Sequence, residues 1–206
     1  MNYSSFVNGV ELKSAVNTFL GTDTLAKQEI ISKYGDISIW NVENVEDMYN
    51  LFHGFHNFNA DLSKWNVGNV KYMTAMFSNC KQFNSDLSNW NVKNVENMCG
   101  MFNGCNNFNS DLSKWNVENV KYMTGMFSKC NKFNSDLSNW NVENVLYMSV
   151  MFCDCNNFNA DLSKWNVEKV QYMINMFIGC HKFKNSANFD RLDQSNLPEE
   201  EEDEDE

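Results

Sequence analysis

Tryptophan recurs in this chain at a fixed spacing of 25 residues and occurs nowhere else. The six tryptophans are Trp40, Trp65, Trp90, Trp115, Trp140 and Trp165. Self-similarity at a fixed period of about 20–50 residues is the signature of a stacked array. Each repeat of such an array is too small to bury its own apolar face and is completed by its neighbours. The spacing therefore predicts a stack of six short repeats rather than one irregular globule.

The repeats share a consensus, D-L-S-[KN]-W-N-V-x-N-V-x-x-M-x-x-M-F-x-x-C-x-x-F-N-[SA], whose columns can be followed through the whole array. Leu62, Trp65 and Val67 have the spacing L-x-x-L-x-L, which is typical of the strand in leucine-rich repeats. Five apolar residues then recur at helical spacing along one stripe, namely Val70, Met73, Met76, Phe77 and Cys80. The pattern predicts that each repeat forms a strand, a tight turn, a short helix and a return loop.

The predicted fold class is an α/β repeat solenoid of the leucine-rich-repeat type, with one parallel strand and one short helix in each of six 25-residue coils. Parallel strands pair at about 4.8 Å, whereas helix axes need about 8–10 Å. This difference predicts a curved arc with the sheet on its concave face. The coils are expected at residues 36–60, 61–85, 86–110, 111–135, 136–160 and 161–185.

The chain divides into four predicted segments. Residues 1–35 are expected to form a helical N-terminal cap, because a stacked array needs its open ends covered. The six-coil solenoid follows at 36–185, and a partial C-terminal cap at 186–198 contains Phe189, Leu192 and Leu197. Residues 199–206 are all acidic and are predicted to be disordered, since they contain no apolar side chain.

Two apolar stripes predict the helices of the N-terminal cap. The first stripe is Leu12, Ala15, Val16, Phe19 and Leu20, at the spacing of one helix face. The second stripe is Leu25, Ile30, Ile31 and Tyr34, and Gly35 is expected to end its helix.

Composition narrows the classes of partner. The net charge is −11, but removing the eight acidic residues at the C-terminus leaves 19 acidic and 16 basic residues. Such a body lacks the basic excess that neutralises phosphates, so a nucleic-acid partner is not expected. No apolar run approaches the roughly 18–20 residues of a membrane span. The polar start lacks the order of a secretory signal, so a cytoplasmic location or incorporation into a particle is favoured over classical secretion.

The consensus resembles the repeat of the BspA-like leucine-rich-repeat surface proteins. The stretch from Glu11-Leu-Lys-Ser-Ala-Val to Tyr34-Gly-Asp-Ile-Ser-Ile-Trp40 resembles the segment that often precedes such arrays, so the resemblance covers residues 11–185. It implies a leucine-rich-repeat fold, with adhesion or protein binding rather than catalysis. Members of the family occur on bacterial cell surfaces, and others are encoded by protists and large DNA viruses.

Three repeated polar columns are interpreted as structural. The cysteine column is Cys80, Cys105, Cys130, Cys155 and Cys180, one residue in each of five repeats. We expect free, buried thiols, because coils at the helix end are too far apart for a disulfide and a ladder does not converge on one metal ion. The aspartate column beginning at Asp61 is expected to cap turns together with Ser63, and the asparagine column beginning at Asn66 to satisfy turn backbone groups.

No catalytic, cofactor-binding or metal-binding residue is predicted, and no cofactor. Catalysis needs one irregular constellation, whereas the chemically interesting residues of this chain are repeated five or six times. The three histidines, His53, His56 and His181, lie in the outermost coils without a paired nucleophile. The sequence therefore predicts that the protein is not an enzyme.

The variable columns carry the functional prediction, because the fixed columns are used in stacking. Positions equivalent to 64, 66 and 68 are expected to point to the concave surface, and a tyrosine stripe is expected on the helix side. Tyrosine is favoured at protein interfaces, although these rings could instead only cover neighbouring helices. The candidate partner-binding residues are Lys64, Lys93, Lys114, Lys164, Glu118, Glu143, Glu168, Tyr72, Tyr122, Tyr147 and Tyr172.

Two functions follow from this surface. The first is a non-catalytic protein-interaction or adhesion-type module that presents a curved face to a protein partner. The alternative is a structural or self-associating component, for example of a larger particle, that has no specific ligand.

Overall fold

The computed structural model describes residues 3–184 and Phe189. The predicted partial cap at 186–198 therefore lies outside the described residues except for Phe189, and the acidic segment 199–206 lies outside them entirely.

Two α-helices precede the repeats. Helix α1 spans Gly9–Leu20, and the Asn8 side chain caps it by accepting a hydrogen bond from the Glu11 N–H. The buried residues of α1 are Leu12, Ala15, Val16 and Phe19, which belong to one stripe. This face packs toward the first repeat, where the Phe19 ring meets the Trp40 ring edge-on at 5.4 Å.

Helix α2 spans Thr24–Tyr34, and its N-cap Asp23 accepts hydrogen bonds from the N–H groups of Leu25 and Ala26. It ends at Gly35, whose φ of 80° lies in the region that favours glycine. Leu25, which was expected on the buried stripe, is 79% exposed. The reason is its position at the helix start, where the carboxylate of Asp23 holds its N–H and its side chain extends into solvent.

The prediction of an α/β solenoid with a parallel strand and a short helix in every coil is wrong. Within residues 3–184, the helices are α1, α2 and a single turn of 3₁₀ helix at Ile37–Ile39, and no strand is formed. β-structure is limited to isolated parallel bridges, of which one joins Ser5 to Asn41. The others connect one column through the repeats, in the order Asp47, Tyr72, Asn97, Tyr122, Tyr147 and Tyr172. The predicted curved arc rested on the different spacings of paired strands and packed helices, so without these elements that prediction has no support.

The segment predicted to be a helix is a succession of tight turns. The N–H groups of Met76, Cys80 and Phe83 each bond the carbonyl three residues earlier, at 3.2, 2.9 and 3.0 Å. Left-handed backbone at Ala75 (φ 52°) and Asn79 (φ 62°) interrupts any right-handed helix, and the equivalent residues of the other repeats also have positive φ. Turns three residues long bury every third side chain, so they produce the same apolar spacing as a helix stripe.

The segment predicted to be a strand also consists of turns. The Trp65 N–H bonds the Leu62 carbonyl and the Val70 N–H bonds the Val67 carbonyl, both at 3.0 Å. All four side chains are buried. The apolar columns were therefore identified correctly as core, while the backbone that carries them was not.

Backbone hydrogen bonds join each repeat to the next in register. Alternate N–H groups of one repeat donate to carbonyls 24 residues ahead, so that Met73 donates to Asn97, Ala75 to Cys99 and Phe77 to Met101, at 2.8–2.9 Å. The intervening N–H groups make the turns within the repeat. This division satisfies the buried backbone of each repeat only when its neighbour is present.

Columns of stacked aromatic rings fill the core. The Phe77 and Phe102 rings lie 5.6 Å apart with planes 3° from parallel, and the Trp115 and Trp140 rings lie 6.4 Å apart at 1°. The buried Trp115 Nε1–H donates to the Leu87 carbonyl of the preceding repeat at 2.9 Å. Because equivalent residues occupy equivalent places, one aromatic residue per repeat generates a continuous stack.

Candidate functional site

Tyrosines occupy four of the six positions in the bridge column. The Tyr122 N–H bonds the Glu96 carbonyl of the preceding repeat, and the Tyr122 carbonyl accepts from the Met98 N–H. With its backbone held by the preceding repeat, the residue directs its side chain outward, and 38% of it remains exposed. Tyr172 is 46% exposed and Tyr147 is half-buried between the two.

Three of these rings form one stack, which we call the tyrosine ladder: Tyr122, Tyr147 and Tyr172. The Tyr122 and Tyr147 ring centroids are 5.3 Å apart, and those of Tyr147 and Tyr172 are 5.2 Å apart. Their planes differ by 15° and 6°. The cause is the bridge register, which places equivalent residues about one strand spacing apart.

The fourth tyrosine, Tyr72, is 44% exposed but separate from the ladder. The intervening position is Asn97, whose side-chain oxygen accepts a hydrogen bond from the Cys99 N–H at 2.9 Å. Asp47 occupies the first position of the column and accepts from the Tyr49 N–H in the same way. The predicted stripe of four is thus one isolated ring and one ladder of three.

The residue before each bridge position changes from charged to uncharged along the stack. Lys71 pairs with Glu46 at 2.8 Å and Lys121 pairs with Glu96 at 3.1 Å, both at the surface. The hydrogen bond to the Glu46 carboxylate raises the pKa of Lys71. In the next repeat, Leu146 stands at this position. The flank of the ladder is therefore ionic at Tyr122 and apolar at Tyr147.

The charged candidates are all exposed, but they do not project from a sheet. For four of them, an asparagine two residues earlier accepts a hydrogen bond from the candidate's N–H: Asn91 from Lys93 at 3.3 Å, and Asn116 from Glu118 at 3.0 Å. Glu143 and Glu168 are held in the same way. The predicted concave strand surface is replaced by a row of asparagine-capped turns.

Part of the candidate set lies around a single shallow depression. Its lining residues are Lys71, Asn94, Glu96, Asn119 and Lys121. Asn94 and Asn119 directly follow Lys93 and Glu118 in the chain, and Lys121 directly precedes Tyr122. Lys93, Glu118 and Tyr122 are therefore chain neighbours of lining residues, although none of the three lines the depression itself. Within the described residues, no contact links Lys64, Lys114 or Lys164 to it.

The aspartate column caps turns, as predicted. Asp61 Oδ1 accepts a hydrogen bond from the Ser63 N–H at 2.9 Å, and the equivalent pair in each later repeat has the same distance. The Ser63 N–H and hydroxyl lower the pKa of Asp61. The asparagine column also satisfies turn N–H groups, as Asn66 does for Gly68.

A second asparagine column, which links successive repeats, was not identified from the sequence. The side-chain oxygen of Asn59 accepts from the Asn84 N–H, and that of Asn84 accepts from the Asn109 N–H, both at 2.8 Å. The available signal was the F-N pair near the end of each of the first five repeats. These bonds tie successive repeats together along the edge that follows the cysteine column.

The cysteine column consists of free thiols, as predicted, and all seven cysteines are free. The Cys105 thiol donates to the Phe77 carbonyl of the preceding repeat at 3.0 Å, and its equivalents do the same. Burial raises the pKa of Cys80 to about 12 and that of Cys180, which is only partly buried, to about 11. The column has low reactivity because the thiolate form is suppressed.

Residues 3–184 and Phe189 contain no group of three or more histidine, cysteine, aspartate or glutamate side chains arranged to hold a metal ion. None of their helices is both long enough and apolar enough to cross a membrane.

A groove beside helix α1 was also missed. Its lining includes Val7, Val10, Lys13 and Tyr49, and both valines are mostly exposed, at 68% and 81%. The Lys13 ammonium lies 5.4 Å from the centre of the Tyr49 ring. Val7 and Val10 lie outside the apolar stripe of α1. Their position off the stripe was the only sign of this surface in the sequence.

Two overlapping stretches of the chain match the same protein family. Residues 22–130 and residues 88–191 each match the family described as "Mycoplasma protein of unknown function, DUF285". The BspA-like repeats are represented by this family, so the resemblance inferred from the consensus is confirmed at that level, whereas the leucine-rich-repeat motif is not. No curated protein and no solved structure matches the chain significantly.

Proposed function

We propose that this chain, which belongs to the DUF285 family, is a non-catalytic protein-binding module of the adhesion type. The tyrosine ladder is the centre of its binding surface. The observation that carries the proposal is the stack of three surface rings, with Tyr122 and Tyr172 more than one third exposed. This surface use agrees with the BspA-like surface repeats that the consensus resembles.

The ladder suits binding because its rings are already ordered. Tyr147 is stacked on both sides, at 5.3 and 5.2 Å, and both its N–H and its carbonyl are hydrogen-bonded to the preceding repeat. Ordering a free side chain at an interface costs about 0.5–1.5 kcal/mol. Since the ladder rings are largely fixed beforehand, little of this cost remains. Tyrosine also combines a large apolar area with a hydroxyl that remains solvated at the rim.

The chemistry of the surroundings defines the kind of partner. The exposed carboxylates of Glu118, Glu143 and Glu168 stand in three consecutive repeats, the same three that carry the ladder. Complementary charge contributes specificity and association rate more than affinity. We therefore expect a protein partner that buries apolar side chains against the ladder and presents lysine or arginine toward the glutamates.

The fixed columns support a binding role over a catalytic one. Catalysis needs free acid, base or nucleophilic groups, and the repeated polar groups already have structural partners. Asp61 holds the Ser63 N–H, Asn84 holds the Asn109 N–H, and the thiol of Cys105 donates to the Phe77 carbonyl. The variable surface columns are the groups left to contact another molecule.

Replacing Tyr122 and Tyr147 together by serine should weaken partner binding while leaving the fold intact. Both side chains are at the surface, so the substitutions remove contact area from the interface. We expect Kd to rise about tenfold or more, which corresponds to a loss of about 1.4 kcal/mol of binding free energy. Affinity purification with the wild-type chain and the double variant in parallel, read by mass spectrometry, identifies candidates. Binding isotherms of each candidate to both chains then measure the change in Kd.

Tyr49→Ser is the matched control, because Tyr49 is 53% exposed and lies outside the ladder. It should bind the partner as the wild type does, and circular dichroism should show the same fold for all three chains. A partner that binds the double variant with unchanged Kd would contradict the role of the ladder.

The alternative, self-association, is favoured by a different observation at the last repeat. Phe177 and Phe183 are only partly buried, whereas the equivalent Phe152 and Phe158 of the preceding repeat are buried. Ile178 beside them is 55% exposed. Native mass spectrometry separates the two functions: a protein that acts by self-association forms defined oligomers of its own and retains no other partner.

A further inference from the structure

Lysines outnumber acidic residues on one edge of the stack, which is formed by positions 18–24 of each 25-residue repeat. In the repeat 61–85 these are residues 78–84. Across the six repeats this edge contains five lysines, all three histidines of the chain and a single acidic residue, Asp154. We call it the basic edge. Its lysines, histidines and single acidic residue are all exposed: His53, His56, Lys81, Lys129, Lys132, Asp154, His181, Lys182 and Lys184.

The remainder of the repeats has the opposite balance. The first 17 positions of each repeat, which include the aspartate column and the glutamates beside the ladder, contain thirteen acidic residues and seven lysines in total. The near neutrality of the body therefore conceals a separation of charge between two surfaces. Separated charge of this kind creates a local potential that attracts an oppositely charged ligand to one side.

The basic edge is continuous from repeat to repeat. The Gln82 N–H bonds the His56 carbonyl at 3.1 Å, and the Asn107 N–H bonds the Lys81 carbonyl at 3.2 Å. Farther along, the Lys182 ammonium donates to the Asn157 side chain at 2.7 Å. Successive repeats thus contribute to one strip, with neighbouring Phe rings beneath it 5.4–5.7 Å apart from centre to centre.

The lysines of the basic edge have no carboxylate partner within the described part of the chain. The ion pairs found there involve Lys33, Lys71 and Lys121, none of which lies on the edge. Asp154, the one acid present, forms no salt bridge with Lys129 or any other described residue. Three of the six repeats thus contribute five ammonium groups whose charge is not balanced by a carboxylate of the described residues.

We propose that the basic edge is a docking site for the chain's own acidic segment, residues 199–206, which covers it in the same molecule and keeps other acidic ligands away. The segment is a run of eight consecutive carboxylates without a basic residue. The charge of the segment and the charge of the edge are complementary, and no other part of the chain offers such a run.

The length of the connection allows this docking. The Phe189 ring is buried edge-on against Phe177 at 5.2 Å, so the reach is counted from Phe189. Residues 190–198 lead from it to the acidic segment, and nine residues span up to roughly 30 Å when extended. From Lys182 back to Lys81 the edge crosses four repeat steps, which is roughly 20–25 Å at strand-like spacing. The segment can therefore reach every lysine of the edge. Tethering gives it an effective concentration in the millimolar range, which favours it over a free competitor.

The test uses a fluorescein-labelled synthetic peptide with the sequence of residues 198–206 as the probe. It is titrated with the full chain and with a chain that ends at residue 198. If the tethered segment occupies the edge, the shortened chain should bind the probe at least about tenfold more tightly at low salt. The difference should disappear near 0.5 M salt, where screening reduces the range of charge interactions to a few ångströms.

A matched pair of variants locates the site. In the shortened chain, the substitutions Lys81→Gln, Lys129→Gln, Lys132→Gln and Lys182→Gln should remove probe binding. Four other exposed lysines give a control with the same change in net charge: Lys64→Gln, Lys93→Gln, Lys114→Gln and Lys164→Gln should leave it intact. Circular dichroism checks that both variants remain folded.

The nitrogen-15 NMR spectrum of the full chain gives a second, independent measurement. Deleting residues 199–206 should shift the backbone amide signals of Lys129, Lys132 and Lys182 more than those of Lys64 and Lys114. A shift that grows with protein concentration means docking onto a second copy, and this overturns the proposal as stated.

Two further outcomes overturn it: equal affinity of the full and shortened chains for the probe, or tighter binding of a single-stranded oligonucleotide than of the acidic peptide. Neither result bears on the tyrosine ladder, because the two surfaces share no residue. Failure of this docking and failure of the proposed partner binding are therefore distinguishable.

Discussion

Replacing Trp115 with alanine is expected to lower the free energy of unfolding by about 3–5 kcal/mol, the typical cost of removing a large aromatic side chain from a core. The ring is 3% exposed and stacks between Trp90 and Trp140 at 6.5 and 6.4 Å. The substitution also removes the Nε1–H donor from the Leu87 carbonyl, a buried acceptor. It therefore opens a cavity and removes one of the two hydrogen bonds that the Leu87 carbonyl accepts, the other coming from the Trp90 N–H at 3.0 Å.

Urea unfolding followed by circular dichroism measures this loss. Lys114→Ala, at the exposed neighbouring position, is the control and should change stability by no more than about 0.5 kcal/mol. Trp115→Phe keeps an aromatic ring but no donor, so its loss should fall between the two. If Trp115→Ala proves no worse than Lys114→Ala, the tryptophans do not form the core of a stack.

The second large effect concerns thiol reactivity, which should differ by orders of magnitude between cysteines. Burial raises the pKa of Cys80 to about 12, and it also raises the pKa values of Cys105 and Cys130 well above the ordinary range. A thiol with a pKa three units above that of a free cysteine contains roughly a thousandfold less thiolate near pH 8, and thiolate is the reactive species. These cysteines should resist labelling in the native protein.

Cys99 and Cys153 are only partly buried and should be labelled first. Brief treatment with a maleimide, followed by peptide mass spectrometry, measures the label on each cysteine. All seven should react after denaturation without reductant, because all are free. Labelling of Cys130 as fast as Cys153 would contradict the buried column, as would an intact mass lowered by two hydrogens for each bridge.

The helix Gly9–Leu20 could be predicted from sequence because only one of its faces packs against the core, and that face requires apolar residues at helical spacing. Leu12, Ala15 and Val16 recur at helical spacing, and no backbone exception interrupts them. The exposure of Leu25 could not be predicted in the same way, since burial at a helix end depends on the direction in which the chain enters.

The core columns of the repeats could be predicted, but their backbone could not. The spacing of Met73, Met76 and Cys80 fits both a helix stripe and a series of three-residue turns. The deciding feature is the left-handed backbone at the positions of Ala75 and Asn79, and glycine marks these positions in only some repeats. Where alanine, valine or lysine takes the same conformation, the residue type does not indicate a left-handed backbone.

The candidate site was partly predictable for the same reason. The column that contains Tyr122 and Tyr147 is visible in the sequence as a variable stripe. The rings stack on one another because parallel bridges join their positions. The stacking could not be predicted, because these bridges lie in the segment that the apolar spacing assigned to a helix. A helix would have separated neighbouring rings by about 8–10 Å, too far for parallel stacking.

The central claim is that backbone hydrogen bonds run between repeats and not within a helix, because this register creates the tyrosine ladder. Scalar couplings transmitted through hydrogen bonds, measured by NMR, test it directly. The account predicts a coupling from the Phe77 amide nitrogen to the carbonyl carbon of Met101, whose oxygen lies 2.9 Å from that nitrogen. A coupling from Phe77 to the carbonyl of Met73, four residues earlier, would instead show a helix and contradict the account.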